Sequence, residues 1–178
     1  MALHTATIHW TRGSDDFLDK RYHRAHTWQF DGGAVVSASS SPHVVPLPYS
    51  DAAAVDPEEA YVAALSSCHM LWFLDIACRA GFRVNRYTDA ATGTMAPDAQ
   101  GRLVVTHVQL QPVTWFDAAH APSAQVLLQP VTCFDAAHAP SAAQLDELHH
   151  RAHASCFLAN SVKTQIDCAP VLELSEGG

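Results

Sequence analysis

The chain has little charge, and positive charge is scarcest. Only 16% of its 178 residues are charged, and 18 Asp and Glu outnumber 10 Lys and Arg, for a formal net charge of −8. The sequence contains no run of basic residues. Because nucleic acids and anionic membrane surfaces are bound through clustered Lys and Arg, this composition predicts no nucleic-acid partner and no membrane partner.

Segments that direct proteins to membranes are also missing. The chain begins Met1-Ala2-Leu3-His4-Thr5, without the basic and apolar stretches of a signal peptide. We find no window that approaches the roughly 20 apolar residues a bilayer-spanning helix needs. The lack of both segments predicts a cytoplasmic location, and the apolar share of 48% predicts one compact domain over residues 1–178.

Cysteine is present, but not in the patterns that build metal ribbons or disulfide frameworks. The five cysteines are widely spaced, and no CxxC motif occurs; they are Cys68, Cys78, Cys133, Cys156 and Cys168. An odd, scattered set suits a reducing compartment in which thiols stay free. Some of these thiols are therefore candidates for chemistry.

The first half of the chain predicts strands followed by one long helix. Residues 27–30 and 34–38 flank the turn Asp31-Gly32-Gly33 and predict a β-hairpin. Asp56-Pro57-Glu58-Glu59 predicts a helix start, with Asp56 as N-cap, and Ala80-Gly81 predicts its end. Because almost no polar face lies between them, we expect a central helix buried on most sides.

The second half predicts a hairpin, a second helix and a last strand. Residues 83–95 and 102–113 read as strands joined by a turn at 96–101. Ser141 and Gln144 form a capping-box pattern, and the helix that follows carries Cys156 on its inner face. Residues 162–174 predict a closing strand. This order predicts an α+β fold.

A tandem duplication lies between the hairpin and the second helix. Residues 110–124 recur as 128–142, an offset of 18 residues, with Trp115 replaced by Cys133. Two short copies are too few for a repeat architecture, which needs at least three packed units. We therefore expect one copy to be a surplus surface loop before Ser141.

Two of the cysteines lie in motifs that resemble those of a known family. The run Asp56-Pro57-Glu58-Glu59-Ala60-Tyr61-Val62-Ala63-Ala64-Leu65-Ser66-Ser67-Cys68-His69-Met70 resembles the central-helix motif of the OsmC/Ohr thiol peroxidases. The run His149-His150-Arg151-Ala152-His153-Ala154-Ser155-Cys156-Phe157 resembles the family's second-cysteine segment. The resemblance spans roughly residues 5–174 and implies antiparallel sheets around a buried central helix in an intertwined homodimer.

The resemblance also implies an activity and its residues. Cys68 would reduce an organic hydroperoxide to an alcohol, and Cys156 would resolve the resulting sulfenic acid as a disulfide. Thiol chemistry supports each step, since a thiolate attacks peroxide and a second thiol protects the sulfenate. A mid-helix Cys needs a cation to activate it, and the family uses an Arg held by a Glu. Glu58 matches by position, and Arg24 or Arg21 is the candidate cation.

Partners follow from the same resemblance. It implies an organic hydroperoxide substrate, a dithiol reductant such as a lipoyl protein, a homodimer and no metal or organic cofactor. Ten residues of one helix would separate Glu58 from Cys68 by about 15 Å, more than a side chain can span. We therefore expect Glu58 of one subunit to serve Cys68 of another.

Two other functions are open at this point. His149, His153 and Cys156 fall on one side of a helix, as ligands of a metal-binding hydrolase would, with His69 as a fourth. Against this, clustered His on a helix edge is usually polar surface, and no HExxH motif appears. The second alternative is a non-catalytic binding module that keeps the fold; retention of both cysteines argues against it.

Overall fold

The computed structural model describes residues 1–117 and 139–175. The chain divides into two compact units, Met1–Tyr61 and Val62–Gly178. The mixture of two α-helices and three small sheets in the described residues confirms the α+β class. Residues 128–138 of the second copy of the duplication, including Cys133, lie outside the described residues.

The first unit is built on a three-stranded antiparallel sheet. Its strands are β1 (Ala6–His9), β2 (His26–Phe30) and β3 (Val35–Ala38), in that order. The predicted hairpin is confirmed, because β2 and β3 pair with Gln29 opposite Val35. Gly33 adopts a φ of 86° in the turn, a conformation that glycine takes without a steric penalty.

Helix α1 (Pro57–Arg79) begins and ends where the sequence predicts. The Asp56 carboxylate accepts the Glu59 N–H at 2.8 Å, and the Glu59 carboxylate accepts the Asp56 N–H at 3.1 Å. This reciprocal cap satisfies two of the free donors at the helix start. Gly81, with a φ of 82°, ends the helix.

One long face of α1 is exposed in the single chain. The expectation that this helix is buried on most sides is therefore wrong for the monomer. Its buried residues are Leu65, His69, Phe73, Ile76 and Ala77. On the opposite side Ala63, Ala64, Ser67 and Leu71 are exposed. By length and composition alone, α1 is long and apolar enough to cross a membrane. The sequence analysis expected no such segment. A core helix passes the same test, and the membrane interpretation carries little weight.

The second unit contains two sheets that interleave along the chain. One has the order β4 (Val84–Asp89), β7 (Pro112–Asp117), β9 (Val171–Ser175). The other has the order β5 (Thr92–Pro97), β6 (Leu103–Leu110), β8 (Gln165–Cys168). Pairs β4–β7 and β5–β6 are antiparallel, but β6–β8 and β7–β9 are parallel. The sheets are thus mixed rather than wholly antiparallel.

Each long strand expected in this half is in fact two strands. The β5–β6 hairpin confirms the turn at 96–101, but β4 and β7 belong to the other sheet. The expected last strand is divided into β8 and β9, because Pro170 between them has no N–H for a sheet hydrogen bond. Because the chain changes sheets at these interruptions, each expected long strand contributes to both sheets of this unit.

The core of this unit lies between α1, α2 (Ala142–Ser155) and the sheet strands. Ser141 caps α2 and forms the predicted capping box with Gln144. The buried residues of the core are Phe73, Ile76, Ala77, Phe82, Phe116, Leu145, Leu148 and Ala152. The first copy of the duplication supplies β7, so its first residues are part of a sheet; whether the remainder forms a loop falls outside the described residues.

Candidate active site

The two predicted redox thiols meet inside the second unit. Cys68 is half-buried on α1, and Cys156, only 1% exposed, follows the last residue of α2. Burial is the main reason that the pKa of Cys156 is raised to about 11, and the neighbouring Cys68 side chain contributes to the increase. Cys156 therefore stays protonated at neutral pH and can donate its S–H toward the Cys68 sulfur.

Cys156 reaches this position because α2 ends earlier than the sequence pattern suggests. The helix stops at Ser155, and Cys156 is its C-cap with φ −67° and ψ 115°. A 3₁₀ helix follows at Ala159–Ser161, and the Ala159 N–H lies 3.5 Å from the Cys156 sulfur. The thiol is thus placed by an extended cap residue rather than by helical spacing.

Apolar side chains neighbour both thiols in sequence. Trp72 on α1 meets Phe157 edge-on, with ring centroids 5.3 Å apart. Phe157 is 70% exposed and Leu71 is 60% exposed. Large exposed apolar groups of this kind mark surfaces that bind a ligand or another protein chain.

A cavity of about 520 Å³ lies within the first unit and holds two of the predicted site residues. Arg24 and Glu58 line it together. Its walls are otherwise largely apolar and aromatic, and include Ile8, Trp10, Phe17, Tyr22 and Val44. A mainly apolar cavity with a few polar groups is typical of sites for small organic molecules.

Arg24 is held within this cavity by contacts with residues that shortly precede it in the chain. Its guanidinium stacks over the Tyr22 ring at 3.8 Å and donates to the Lys20 carbonyl at 3.0 Å and to the Tyr22 carbonyl. These contacts fix the guanidinium plane without the use of a carboxylate. Among the residues the structure describes, Arg24 and Glu58 share the cavity without an ion pair to each other.

Arg21, the other candidate cation, lies in a different setting. Its guanidinium donates to the Tyr49 hydroxyl at 2.8 Å and lies 3.9 Å from the Asp19 carboxylate. The Tyr49 hydrogen bond is the main reason that the pKa of Arg21 is raised. Its side chain is 70% exposed and does not line the cavity. The geometry therefore favours Arg24.

A second cluster, in the second unit, joins two imidazoles and a thiol. His69 Nε2 lies 2.9 Å from His149 Nδ1, and the Cys168 sulfur lies 3.8 Å from the first and 3.7 Å from the second. Burial lowers the pKa of His69 to about 4 and that of His149 to about 3, and it raises the pKa of Cys168 to about 12. Both imidazoles are therefore neutral at pH 7.

This cluster replaces the predicted metal set of His149, His153 and Cys156. In the described part of the chain, the one group of three such side chains with convergent ligand atoms is His69, His149 and Cys168. Cys156 is engaged with Cys68 instead, because it no longer continues the helical face that carries His149. His69, the expected fourth ligand, is indeed beside His149.

The sequence analysis missed Cys168, to which it assigned no role. The signal available was alternation in β8, where Gln165 and Asp167 are exposed while Ile166 and Cys168 point inward. That alternation places Cys168 on the inner face. Its partners come from two helices distant in sequence, so the cluster itself was not visible in any local pattern.

Comparison with known proteins agrees with this architecture. The family model described as "OsmC-like protein" matches residues 50–170. An OsmC-like protein of unknown function from Vibrio cholerae is 44% identical, with a TM-score of 0.81 over 96% of this chain and 100% of that one. No match was found among curated protein sequences.

More distant solved structures share the fold. An organic hydroperoxide resistance protein from Elizabethkingia anophelis is 14% identical, with a TM-score of 0.64 over 98% of both chains. The organic hydroperoxide resistance protein OhrB of Bacillus subtilis is 15% identical, with a TM-score of 0.57 over 97% of this chain and 98% of that one. The match to the family model over residues 50–170 and the 44% identical relative show that the chain belongs to the OsmC-like protein family.

Proposed function

We propose that the protein is a thiol peroxidase that reduces organic hydroperoxides to alcohols through Cys68 and Cys156. The observation that carries the proposal is the proximity of these two thiols, one half-buried and one buried, which is close enough for Cys68 to act on the pKa of Cys156. The family and the hydroperoxide resistance proteins among the structural neighbours support the same class of chemistry. Neither cysteine requires a cofactor for this reaction.

The reaction proceeds in two thiol steps. The Cys68 thiolate attacks the distal peroxide oxygen, the O–O bond breaks, and the alkoxide takes a proton and leaves as an alcohol. The Cys156 thiol then attacks the Cys68 sulfenic acid, and water leaves as the disulfide forms. A dithiol reductant such as a lipoyl group exchanges with this disulfide and restores both thiols. The cytoplasm, as a reducing compartment, would keep that dithiol available.

The cavity of the first unit supplies the groups that this chemistry still needs. Its aromatic walls suit the organic part of a hydroperoxide, and Arg24 offers a fixed cation for the peroxide oxygens and for the thiolate. Glu58 would orient that guanidinium once the thiol site is complete. Arg21 has no such role, because its side chain is exposed and its guanidinium already donates a hydrogen bond to the Tyr49 hydroxyl.

We infer further that the working site is shared between two subunits. Glu58 and Cys68 belong to one uninterrupted helix, at positions about 15 Å apart along its axis. In addition, α1 exposes Ala63, Ala64 and Leu71, an apolar strip that a second copy could cover. In a homodimer of this kind, Arg24 and Glu58 of one subunit act on Cys68 of the other.

Disulfide mapping tests the proposal directly. Reduced protein is mixed with one equivalent of cumene hydroperoxide, and its disulfides are identified by mass spectrometry. We expect a Cys68–Cys156 bond and one equivalent of cumyl alcohol. A protein that consumes no peroxide, or that forms a different disulfide, would contradict the mechanism. The same assay with a chelator separates it from the metal-hydrolase alternative, because thiol chemistry continues without metal.

A further inference from the structure

Three ligand-type side chains converge at a point that the peroxidase chemistry does not use. His69 comes from α1, His149 from α2 and Cys168 from the end of β8. Their ligand atoms all lie within 4.8 Å of one another. The two imidazoles are 1% and 2% exposed, so this convergence is a feature of the core and not of the surface.

The spacing of these atoms is close to that of a tetrahedral metal site. Bond lengths of about 2.05 Å to nitrogen and 2.3 Å to sulfur place two nitrogens about 3.3 Å apart and nitrogen and sulfur about 3.6 Å apart. The observed separations are 2.9 Å between the nitrogens and 3.7 and 3.8 Å from each nitrogen to the sulfur. The 2.9 Å separation is that of a hydrogen bond between the two rings, so a bound ion would replace this hydrogen bond and both imidazoles would tilt toward the sulfur.

We propose that His69, His149 and Cys168 form a binding site for a borderline-soft transition-metal ion, of which Zn²⁺ is the best match. The nitrogen and thiolate donors select such ions over Mg²⁺ or Ca²⁺, which prefer oxygen ligands. Three protein ligands leave the fourth position for water or a small molecule. The site ties both helices to the β5–β6–β8 sheet.

The surroundings fit the protonation states that coordination requires. A metal binds the neutral form of imidazole, and both rings lie in the core, where a charge is costly. A divalent ion deprotonates a coordinating thiol outright, so the raised pKa of Cys168 describes the metal-free protein only. Asp89, which acts electrostatically on both His69 and Cys168, adds negative charge near the ion.

The ring planes are already fixed by packing. His69 and His149 lie nearly parallel, with an interplanar angle of 6° and centroids 5.2 Å apart. Phe73 stacks on His149 at 4.1 Å. The outer nitrogens, His69 Nδ1 and His149 Nε2, are buried without a hydrogen-bond partner in the described residues. When the inner nitrogens bind an ion, these outer nitrogens carry the ring protons.

The test uses full-length protein without a polyhistidine tag. Metal content is measured after purification, the metal is removed with a chelator, and Co²⁺ is titrated as a spectroscopic substitute for Zn²⁺. We expect one ion per chain, absorption typical of thiolate-bound tetrahedral Co²⁺, loss of that absorption when Zn²⁺ displaces it, and a higher melting temperature with Zn²⁺. Elemental analysis distinguishes zinc from copper as the ion acquired during expression.

Variants locate the site. Cys168→Ser should remove the thiolate band and weaken binding by roughly 100-fold or more, since even residues that only support ligands cost 10- to 100-fold. Cys78→Ser, at an exposed thiol, and His153→Gln should bind as the unchanged protein does. If Cys168→Ser does not fold, Zn²⁺ should still slow iodoacetamide labelling of Cys168 in the unchanged protein but not that of Cys78. Absence of Co²⁺ and Zn²⁺ binding, or binding lost in His153→Gln and kept in Cys168→Ser, would overturn the proposal.

Discussion

The Cys156 thiol, just after the end of α2, lies close enough to the Cys68 side chain on α1 for Cys68 to help raise its pKa. A thiol already beside the attacking side chain needs no large movement to close a disulfide. This relationship explains how a buried residue can resolve a sulfenate formed on a half-buried one. It also makes the two cysteines unequal, so their substitutions should fail in different ways.

Substitution of Cys68 and substitution of Cys156 should stop turnover at two different steps. We expect Cys68→Ser to abolish peroxide reduction, because no nucleophile remains. Cys156→Ser should consume one equivalent of peroxide and then stop, with a sulfenate on Cys68 that dimedone traps for mass spectrometry. Cys78→Ser, at an exposed position on α1, is the matched control and should keep full activity. Undiminished activity in Cys68→Ser would refute the mechanism.

The two arginines should differ sharply in their effect on activity. Arg24→Met removes the cation from the cavity shared with Glu58 and should lower kcat/KM by about 100-fold, the scale of losing one charge-stabilising donor. Arg21→Met removes an exposed ion pair and should leave kcat/KM nearly unchanged. Steady-state assays with cumene hydroperoxide measure both. The reverse order would assign the role to Arg21.

Mixed dimers test the shared site. Glu58→Ala and Cys68→Ser chains, each inactive alone, are mixed in equal amounts and refolded. If the site is shared, half of the dimers are mixed and each has one intact site of two, so about a quarter of the activity should return. A mixture of Cys68→Ser and Cys156→Ser is the control and should not recover, because both thiols belong to one unit. No recovery in the first mixture would place the site within one chain.

Cys156 should respond to pH as a thiol with a raised pKa. Its alkylation rate in reduced, folded protein should keep rising to about pH 11, whereas in urea it should level off near the ordinary value of 9.0. Between these values the folded state retains a proton that the unfolded state has lost. The free energy of unfolding of the reduced protein should therefore decrease as the pH rises from about 9 to about 11. Cys156→Ser should reduce that decrease, and an unchanged pH profile would contradict the assignment.

One copy of the duplication should be dispensable. Deletion of residues 111–128 joins Leu110 to Gln129 and restores the β7 sequence with Cys133 in place of Trp115. Deletion of residues 118–135 keeps Trp115, whose ring lies 4.4 Å from the Arg86 guanidinium. We expect both proteins to fold and reduce peroxide, because closing a shorter loop changes the free energy by only about 0.6 kcal/mol per twofold difference in length. The first deletion should be slightly less stable in urea denaturation, owing to loss of the cation–π contact. Failure of both to fold would show that the two copies are built into the core.

The sequence by itself determined the elements whose signals are local. The caps at Asp56 and Ser141, the turn at Gly33 and the position of Cys68 within α1 follow from neighbouring residues, since capping and turn preferences act over a few positions. The family resemblance likewise rested on short motifs around Cys68 and Cys156, and its family assignment is confirmed. The site roles of Cys68, Cys156, Arg24 and Glu58 stay predictions.

Only the tertiary structure decided which distant side chains meet. Three features depend on packing between segments up to 99 residues apart: the switch of strands between two sheets, the parallel pairing of β8 with β6 and of β9 with β7, and the convergence of Cys168 with His69 and His149. Such contacts leave no periodic trace, because each element satisfies its own local pattern in more than one arrangement. Helical spacing predicted that His149 and Cys156 share one face of α2. Because α2 ends at Ser155, Cys156 instead lies beside Cys68. His149 lies beside His69 and Cys168.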